Sequence, residues 1–272
     1  MMEFNSFSCK TKYPLILLHG TGARDGGRRT CWGRISQALA DAGAEIFYGH
    51  QDAWGTVENN AEMVKETTLA VLSKTGSEKV NIIAISKGGL EARYMISQLD
   101  MGDKVASLTT ISTPHRGSRT MDFFCQRWRY RPLLKIAAVL INFLAKRRGD
   151  KNPDVYNTCH QFTTVYSERF NREVLDDKNV YYQSYASSMK KSYSDMLLFI
   201  QHVVVKKFDG ESDGLVSVDS AKWGVFRGVI TGKGIRGVSH ADLRDLRRRG
   251  PAGKDVVDVY VGIVGELRGK GF

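Results

Sequence analysis

The chain has 272 residues, of which 42% are hydrophobic and 25% are charged, and it carries a net charge of +11. This length and composition fit one large α/β domain as well as two small ones, and a core of that size needs neither disulfides nor a structural metal. The four cysteines form no C-x-x-C pair, which excludes a zinc ribbon and a disulfide framework and favours reduced thiols. Nucleic acids and anionic lipid surfaces both attract positive charge, but no nucleic-acid-binding motif is present, so we expect no specific nucleic-acid partner.

Neither a signal peptide nor a membrane-spanning segment is indicated by the pattern of apolar residues. Residues 1–13 contain charged side chains and no continuous apolar stretch. The longest apolar run, residues 133–144, is interrupted by Lys135 and Asn142 and is shorter than the about 20 residues that cross a bilayer. We therefore expect a cytoplasmic protein.

Apolar strands alternate with amphipathic helices through the first part of the chain, a pattern that predicts parallel βαβ units. Thr56 is expected to cap a long helix that ends near Gly76. The predicted strands are residues 13–18, 44–48, 79–84 and 105–111, followed later by residues 180–185 and 225–230. Residues 197–205 fit either a helix or a strand, and residues 256–267 fit a closing helix.

One serine stands where a buried strand meets a helix. The apolar run that ends at Ile85 is followed by Ser86 and then by Gly88 and Gly89, a variant of G-x-S-x-G with Ala84 in the first glycine position. A sharp strand-to-helix turn would expose the serine hydroxyl and leave helix N-terminal N–H groups free to bind an oxyanion. A tight turn without a catalytic role is the alternative interpretation.

Two further loops follow predicted strands and would lie at the same edge of the sheet. The first contains His19, Gly20 and Thr21, and the N–H of Thr21 is a candidate donor to a substrate oxygen. The pattern G-x-x-x-x-G-K-[ST] is absent, so we do not predict a phosphate-binding loop. The second loop, residues 112–118, contains His115, which follows a proline in a tight turn and for which we favour a structural role.

The βα alternation lapses after Thr120, where a strongly apolar segment with flanking basic residues predicts several helices. Inserted helices at this edge of a sheet can act as a lid, and an apolar lid face could make transient contact with lipid. A packed helical subdomain is an equally good interpretation. Residues 127–131 (Arg-Trp-Arg-Tyr-Arg) resemble a nucleic-acid or protein interface, but we favour a solvated helix face.

A serine nucleophile needs a base and an acid that orients the base. The chain order serine, acid, histidine is met by Ser86, Asp213 and His240, of which the last two follow late strands. Asp209 and Asp219 compete with Asp213 for the role of the acid. We prefer Asp213 because a glycine and an apolar pair follow it directly and anchor its loop.

Taken together, these segments resemble the bacterial triacylglycerol lipases of the α/β-hydrolase superfamily, a group that includes the Pseudomonas-type lipases. The resemblance organises about residues 13–118 and 208–246, whereas the predicted lid between them matches poorly. The segments that carry the resemblance are Tyr13 to Gly20, Lys79 to Gly89, Val105 to Ser118, Asp213 to Ser217 and His240 to Asp242.

The resemblance implies one α/β-hydrolase domain over residues 1–272, with a mostly parallel sheet flanked by helices and a helical lid at residues 119–172. It implies a serine carboxylester hydrolase, a lipase or esterase acting on apolar acyl esters. It implies Ser86 as the nucleophile, Asp213 as the orienting acid and His240 as the base. It also implies that the backbone N–H groups of Thr21 and Lys87 are the oxyanion donors. A short-chain esterase, a thioesterase, a polyester hydrolase and a non-catalytic binding protein remain the alternatives.

The chain departs from the lipase pattern at several positions. Ala84 and Ile85 replace a Gly-His pair, and Lys87 stands where Gln or Met is usual, so its side chain could lie beside the pocket and alter substrate preference. Those lipases often bind structural calcium; Asp242 matches one ligand, but Leu246 replaces an expected glutamine. We therefore predict no cofactor and no metal.

Overall fold

The computed structural model describes residues 8–25, 31–232, 235–245 and 256–272. Its strands are β1 (Leu15–Leu18), β2 (Ile46–Tyr48), β3 (Val80–Ile85), β4 (Val105–Ile111), β5 (Tyr181–Ser187) and β6 (Val225–Ile230). Within the described residues they form one six-stranded sheet in the order β2-β1-β3-β4-β5-β6. Every pairing is parallel, which confirms the predicted sheet.

Helices cover both faces of this sheet. They are α1 (Ile35–Asp41), α2 (Val57–Thr75), α3 (Lys87–Gln98), α4 (Arg119–Gln126), α5 (Arg131–Arg147), α6 (Val155–His160), α7 (Thr164–Glu173), α8 (Phe199–Asp209) and α9 (Val256–Gly269). Residues 197–205, which fit either structure in the sequence, therefore lie mainly in α8.

The strands divide their side chains between two buried clusters because successive residues of a strand point to opposite faces. In β1, Leu15 and Leu17 pack with side chains of α1 and α9, while Ile16 and Leu18 pack with side chains of α2 and α3. The sheet is thus buried on both faces, as expected for parallel strands connected by helices. No helix of the described residues combines the length and apolar character needed to cross a membrane.

The strand order creates a crevice at the carboxyl end of β1. The chain passes from β1 to β2 on one side, and then returns to β3 on the other side of β1. Open α/β sheets bind ligands at such a switch point, because the loops after the two neighbouring strands diverge there. The loops that carry Thr21 and Ser86 therefore flank one crevice.

Local signals explain the bounds of the long helix α2. The Thr56 hydroxyl accepts a hydrogen bond from the N–H of Asn59 at 3.3 Å, and Gly76 takes a left-handed conformation with φ 68° directly after the last turn. Both ends agree with the prediction. The helix follows the loop of residues 49–55, which contacts both Gly22 after β1 and the side chain of Lys87.

Four helices, α4 to α7, occupy the segment between β4 and β5 where the sequence predicts a helical insert. The helix α5 buries only Ala138 and Ala145 and exposes most of its apolar side chains. The basic and aromatic residues 127–130 form the connection between α4 and α5 rather than a helix face. There the guanidinium of Arg127 lies 4.1 Å from the ring centroid of Phe123.

His115 lies in a fully buried cluster that joins the loop after β4 to α3. Its Nδ1 is 3.3 Å from a guanidinium nitrogen of Arg93, its Nε2 is 3.0 Å from the Thr110 hydroxyl, and its ring stacks on Trp223. Burial, and next the positive charge of Arg93, hold the pKa of His115 well below its ordinary value. The arginine N–H needs an unprotonated Nδ1 as its acceptor, so the folded protein keeps this imidazole neutral.

This environment predicts a pH dependence of stability. Above pH about 6.5 the imidazole of His115 is neutral in both states; below it, the unfolded chain binds a proton that the folded chain does not, so stability falls. The wild-type protein should therefore lose unfolding free energy when the pH falls from 7.5 to 5.5. In His115→Asn this loss should be about 1.4 kcal/mol smaller than in the wild type. Urea unfolding at the two pH values measures this loss. The exposed His50 provides the control through His50→Gln, and an unchanged pH dependence in His115→Asn would contradict the explanation.

Candidate active site

Ser86 occupies the turn between β3 and α3 with φ 56° and ψ −128°, a conformation that non-glycine residues rarely adopt. The backbone of neighbouring segments holds it there. Its N–H donates to the carbonyl of Ile111 at 3.0 Å, and its carbonyl accepts from the Thr113 hydroxyl at 2.7 Å and from the N–H of Gly89 at 3.1 Å. Strain of this kind costs about 1–3 kcal/mol and persists only where surrounding contacts enforce it.

The loop after β1 lies directly against this turn. A Cβ atom placed on Gly20 would be 2.6 Å from the Cβ of Ser86, and one placed on Gly88 would be 2.7 Å from the carbonyl oxygen of His19. Real Cβ atoms do not approach so closely, so glycine is required at both positions. The close approach places Gly20, the neighbour of Thr21, against Ser86, the neighbour of Lys87.

The two predicted oxyanion donors have free N–H groups in the described part of the chain. Lys87 is the first residue of α3, where a helix leaves its N–H groups without intrahelical acceptors, and no other acceptor is found for it or for the N–H of Thr21. Gly22, which follows Thr21, is fixed by a hydrogen bond from its N–H to the carbonyl of Ala53 at 3.0 Å. These free N–H groups can donate hydrogen bonds to an oxygen on which negative charge develops.

Asp213 and His240 are joined by two hydrogen bonds. The imidazole Nδ1 is 2.8 Å from Oδ2 of the carboxylate, and the N–H of His240 donates to the carbonyl of Asp213 at 2.9 Å. With Nδ1 donating to the carboxylate, Nε2 of a neutral imidazole is the ring atom that can accept a proton. The pair is buried, with 0% of Asp213 and 8% of His240 exposed.

The carboxylate of Asp213 stays ionised despite its burial. Burial alone raises its pKa, but the charge and hydrogen bond of His240, together with the N–H groups of Val216 and Leu215, outweigh burial and lower the pKa. These two N–H groups donate to Oδ1 at 2.9 and 3.0 Å. The apolar pair that led us to prefer this aspartate therefore acts through its backbone.

Two serines complete the surroundings of the carboxylate and were not predicted. The Ser187 hydroxyl donates to Oδ2 of Asp213 at 2.9 Å and is itself 2.9 Å from the hydroxyl of Ser112. Ser112 follows β4 with φ 47°, and Ser187 is the last residue of β5. Only the adjacency of the two strands brings them together, so the sole sequence signal was a polar residue at each strand end.

The competing acids are engaged elsewhere. Asp209 accepts hydrogen bonds from the N–H groups of Arg119 and Thr120 at 2.7 and 3.1 Å, at the start of α4. Asp219 is exposed and pairs with Lys222 at 2.6 Å. Of the three candidate acids, Asp213 is the one that contacts His240.

The side chain of Lys87 turns into the protein and not toward an open pocket. Its Nζ is 3.0 Å from Oε1 of Glu91 and also donates to the carbonyl of Gly55. Only 1% of Lys87 and 0% of Glu91 is exposed. The expected influence of this lysine on substrate preference would therefore have to be indirect.

The described residues give no support for a structural calcium ion. The Asp242 carboxylate accepts a hydrogen bond from the N–H of Ser239 at 3.0 Å, and Leu246 lies outside the described residues. No cluster of three or more metal-ligating His, Cys, Asp or Glu side chains occurs in the part of the chain that is described.

Comparison with known proteins gives curated relatives that are named triacylglycerol lipases. Triacylglycerol lipase 2 of Saccharomyces cerevisiae is 28% identical over 262 residues, which cover 89% of this chain and 74% of the yeast protein. A triacylglycerol lipase of Pseudarthrobacter phenanthrenivorans is 30% identical over 173 residues, covering 60% of this chain and 54% of the bacterial protein. This chain thus spans about half the length of the bacterial relative. The predicted resemblance and the predicted class, a carboxylic ester hydrolase, are confirmed.

A solved structure confirms the predicted α/β-hydrolase fold. Mature lipase BlEst2 of Bacillus licheniformis superposes with a TM-score of 0.64 at 18% identity, covering 93% of this chain and 92% of that chain.

A model of the palmitoyl protein thioesterase family matches residues 14–226, which are most of the sequence. The chain therefore belongs to that family.

Proposed function

We propose that the protein hydrolyses apolar acyl esters through an acyl-enzyme on Ser86, with His240 as base and Asp213 as orienting acid. The observation that carries the proposal is the hydrogen bond between His240 and a buried Asp213, at the sheet edge where Ser86 is held in a strained turn. The family match and the lipase relatives support it. The presence of all three residue types, with His240 hydrogen-bonded to Asp213, argues against a non-catalytic binding protein.

In the first step Nε2 of His240 takes the hydroxyl proton as Ser86 Oγ attacks the ester carbonyl. The imidazolium that forms is stabilised by the Asp213 carboxylate, which stays ionised. The negative charge on the carbonyl oxygen is held by the free N–H groups of Thr21 and Lys87. The imidazolium then protonates the leaving alcohol, and the acyl group stays on Ser86.

In the second step water attacks the acyl-enzyme while His240 again acts as the base. The same two N–H groups hold the second tetrahedral intermediate, and proton return to Ser86 Oγ releases the fatty acid. The bonds broken are the ester C–O bond in the first step and the acyl–serine C–O bond in the second. Both steps need the same fixed geometry.

The first prediction concerns the nucleophile. Replacing Ser86 with Ala should lower kcat on p-nitrophenyl esters by about 10⁶-fold, to the background rate, because no acyl-enzyme can form. The assay should cover acyl chains from C2 to C16, and far-UV circular dichroism should show that the variant is folded. Replacing the exposed Ser73 of α2 with Ala is the matched control. Ester hydrolysis by Ser86→Ala at the wild-type rate would refute the proposal.

The second prediction concerns the orienting acid. Replacing Asp213 with Asn should lower kcat by about 10⁴-fold, because the amide favours the wrong imidazole tautomer. Single-turnover kinetics with a p-nitrophenyl ester measure the acylation rate directly. The exposed Asp219 supplies the control through Asp219→Asn, which should keep wild-type activity. Equal effects of the two substitutions would remove Asp213 from its proposed role.

Thioester hydrolysis is a second candidate, favoured by the family whose model matches residues 14–226. The same serine chemistry applies, with a thiolate instead of an alkoxide as the leaving group. Comparison of kcat/KM for a p-nitrophenyl ester and a thioester with the same acyl chain separates the two. A preference for the thioester well above the difference in their intrinsic hydrolysis rates would assign the second function.

We further propose that the substrate is reached at a lipid surface through an apolar face of α5. Leu133, Ile136 and Val139 are 65%, 69% and 70% exposed, which is a large unburied apolar surface on one helix. The adjacent α8 region also exposes large apolar side chains, and exposed basic residues border α5. These residues are Met196, Leu197 and Ile200 in the α8 region, and Lys135, Lys146, Arg147 and Arg148 on or after α5.

Packing joins these two regions. The ring of Phe123 in α4 lies 5.8 Å from the ring of Tyr130, next to α5, and 5.5 Å from that of Phe208 in α8. Apolar surface flanked by cations matches an anionic lipid interface, where both contributions favour binding. The outward face of α5 is therefore proposed as the region that meets the lipid.

This surface can be tested separately from the chemistry. The double variant Ile136→Asp/Val139→Asp should bind vesicles of phosphatidylcholine and phosphatidylglycerol at least about 10-fold more weakly, because each buried apolar side chain contributes about 1.5–3 kcal/mol. Activity on emulsified long-chain esters should fall in parallel, while activity on soluble p-nitrophenyl butyrate should not. Leu69→Asp on the exposed face of α2 is the control. Unchanged vesicle binding would contradict this role of α5.

A further inference from the structure

The buried ion pair of Lys87 and Glu91 links the helix of the nucleophile to a neighbouring loop. Lys87 Nζ reaches both the Glu91 carboxylate and the carbonyl of Gly55, and Glu91 Oε1 accepts a hydrogen bond from Asn60 at 2.7 Å. A buried pair of this kind is usually no more stabilising than apolar residues of the same size. Stability alone therefore does not account for a lysine at this position.

The loop that Lys87 binds is also the support of the other oxyanion donor. Ala53 accepts the N–H of Gly22, and the ring of Trp54 lies at 3.5 Å from a Cβ built on Gly22, an ordinary packing distance. Asn60 holds the same loop from α2 by donating to the carbonyl of Asp52 at 2.7 Å. Residues 52–55 thus lie between the two backbone segments that flank the serine.

The helical insert also contacts residues 52–55 of this loop. The Asp150 carboxylate accepts the N–H groups of Ala53 and Trp54 at 3.0 and 3.1 Å, and the Thr158 hydroxyl donates to the carbonyl of Gly55 at 3.1 Å. These contacts fix residues 52–55 to the insert, while the N–H of Gly49 in the same loop donates to the carbonyl of Leu17 in β1 at 3.0 Å. Lys87 supplies the contact between the loop and the first turn of α3.

From this arrangement we propose that the Lys87 side chain is a positioning residue for the oxyanion donors. The Lys87 side chain ties residues 52–55 to the Ser86 turn. Because Ala53 in that loop holds Gly22, the backbone N–H of Thr21 stays at a fixed separation from the backbone N–H of Lys87. The inference rests on the proposed function for its catalytic consequence, but the clamp itself is a property of the fold. Donors must lie about 2.7–3.1 Å from the oxyanion, and a displacement of about 1 Å can cost 10²-fold in rate.

A double variant tests this role without leaving a buried charge unpaired. Lys87→Met alone would strand the Glu91 carboxylate and could fail to fold, whereas Lys87→Met/Glu91→Gln is neutral and preserves an acceptor for Asn60. The double variant should lower kcat on p-nitrophenyl butyrate by about 10- to 100-fold with little change in KM, because the loss is in transition-state stabilisation. Its thermal unfolding midpoint should stay near that of the wild type.

Amide hydrogen exchange supplies a readout that does not depend on activity. Residues 19–23 and 51–56 should exchange faster in the double variant, while the strands β3 and β4 should be unchanged. The exposed pair Lys104 and Asp103, whose charged atoms are 3.1 Å apart, gives the matched control Lys104→Met/Asp103→Asn. That control should change neither exchange in these segments nor kcat.

Each outcome decides the proposal. A stable double variant with wild-type kcat, or with wild-type exchange in residues 19–23 and 51–56, would overturn it. A wild-type protein without ester or thioester activity would refute the proposed function instead, and the exchange measurement would still decide whether Lys87 is a clamp.

Discussion

The contact on which the site depends is the close approach of two backbone segments, the loop after β1 and the turn that holds Ser86. The space between Gly20 and Ser86 admits no additional carbon atom, and the serine takes a backbone conformation that is unfavourable in isolation. Neighbouring strands hold this geometry through the Ile111 carbonyl and the Thr113 hydroxyl. The parallel sheet therefore does more than form a core, because its strand order forces two loops with free N–H groups together.

The buried charge of Asp213 at this edge has several partners. Asp213 is fully buried yet accepts four hydrogen bonds, from Leu215, Val216, Ser187 and His240. The lower pKa that results keeps the carboxylate ionised, as an acid that stabilises an imidazolium must be. By contrast, burial and the positive charge of Arg93 lower the pKa of the buried His115, so that histidine stays neutral.

The sequence predicted the features that depend on local patterns. The bounds of β4 and β6, the caps of α2 and the strand-turn-helix around Ser86 all follow from apolar runs, capping residues and glycines near one another in the chain. It did not predict Ser112 and Ser187, because their contact depends on the pairing of β4 with β5, 75 residues apart. The burial of the Lys87 side chain was also missed. Glu91, four residues later in the same helix, was a readable signal for the ion pair, but the burial depends on the loop that contains Gly55, 32 residues away.

The loop of residues 49–55 connects what would otherwise be separate parts of the molecule. On one side it contacts Gly22 and Lys87, and on the other the carboxylate of Asp52 accepts the N–H groups of Lys151 and Asn152 at 2.8 and 2.6 Å, directly after α5. The hydrogen bonds of this loop thus connect the segment that follows α5, a helix with a large exposed apolar surface, to Gly22 and to Lys87. A displacement of α5 that moves residues 150–152 would act directly on residues 52–54 of this loop, and the proposed clamp by Lys87 would oppose its transfer to the Ser86 turn.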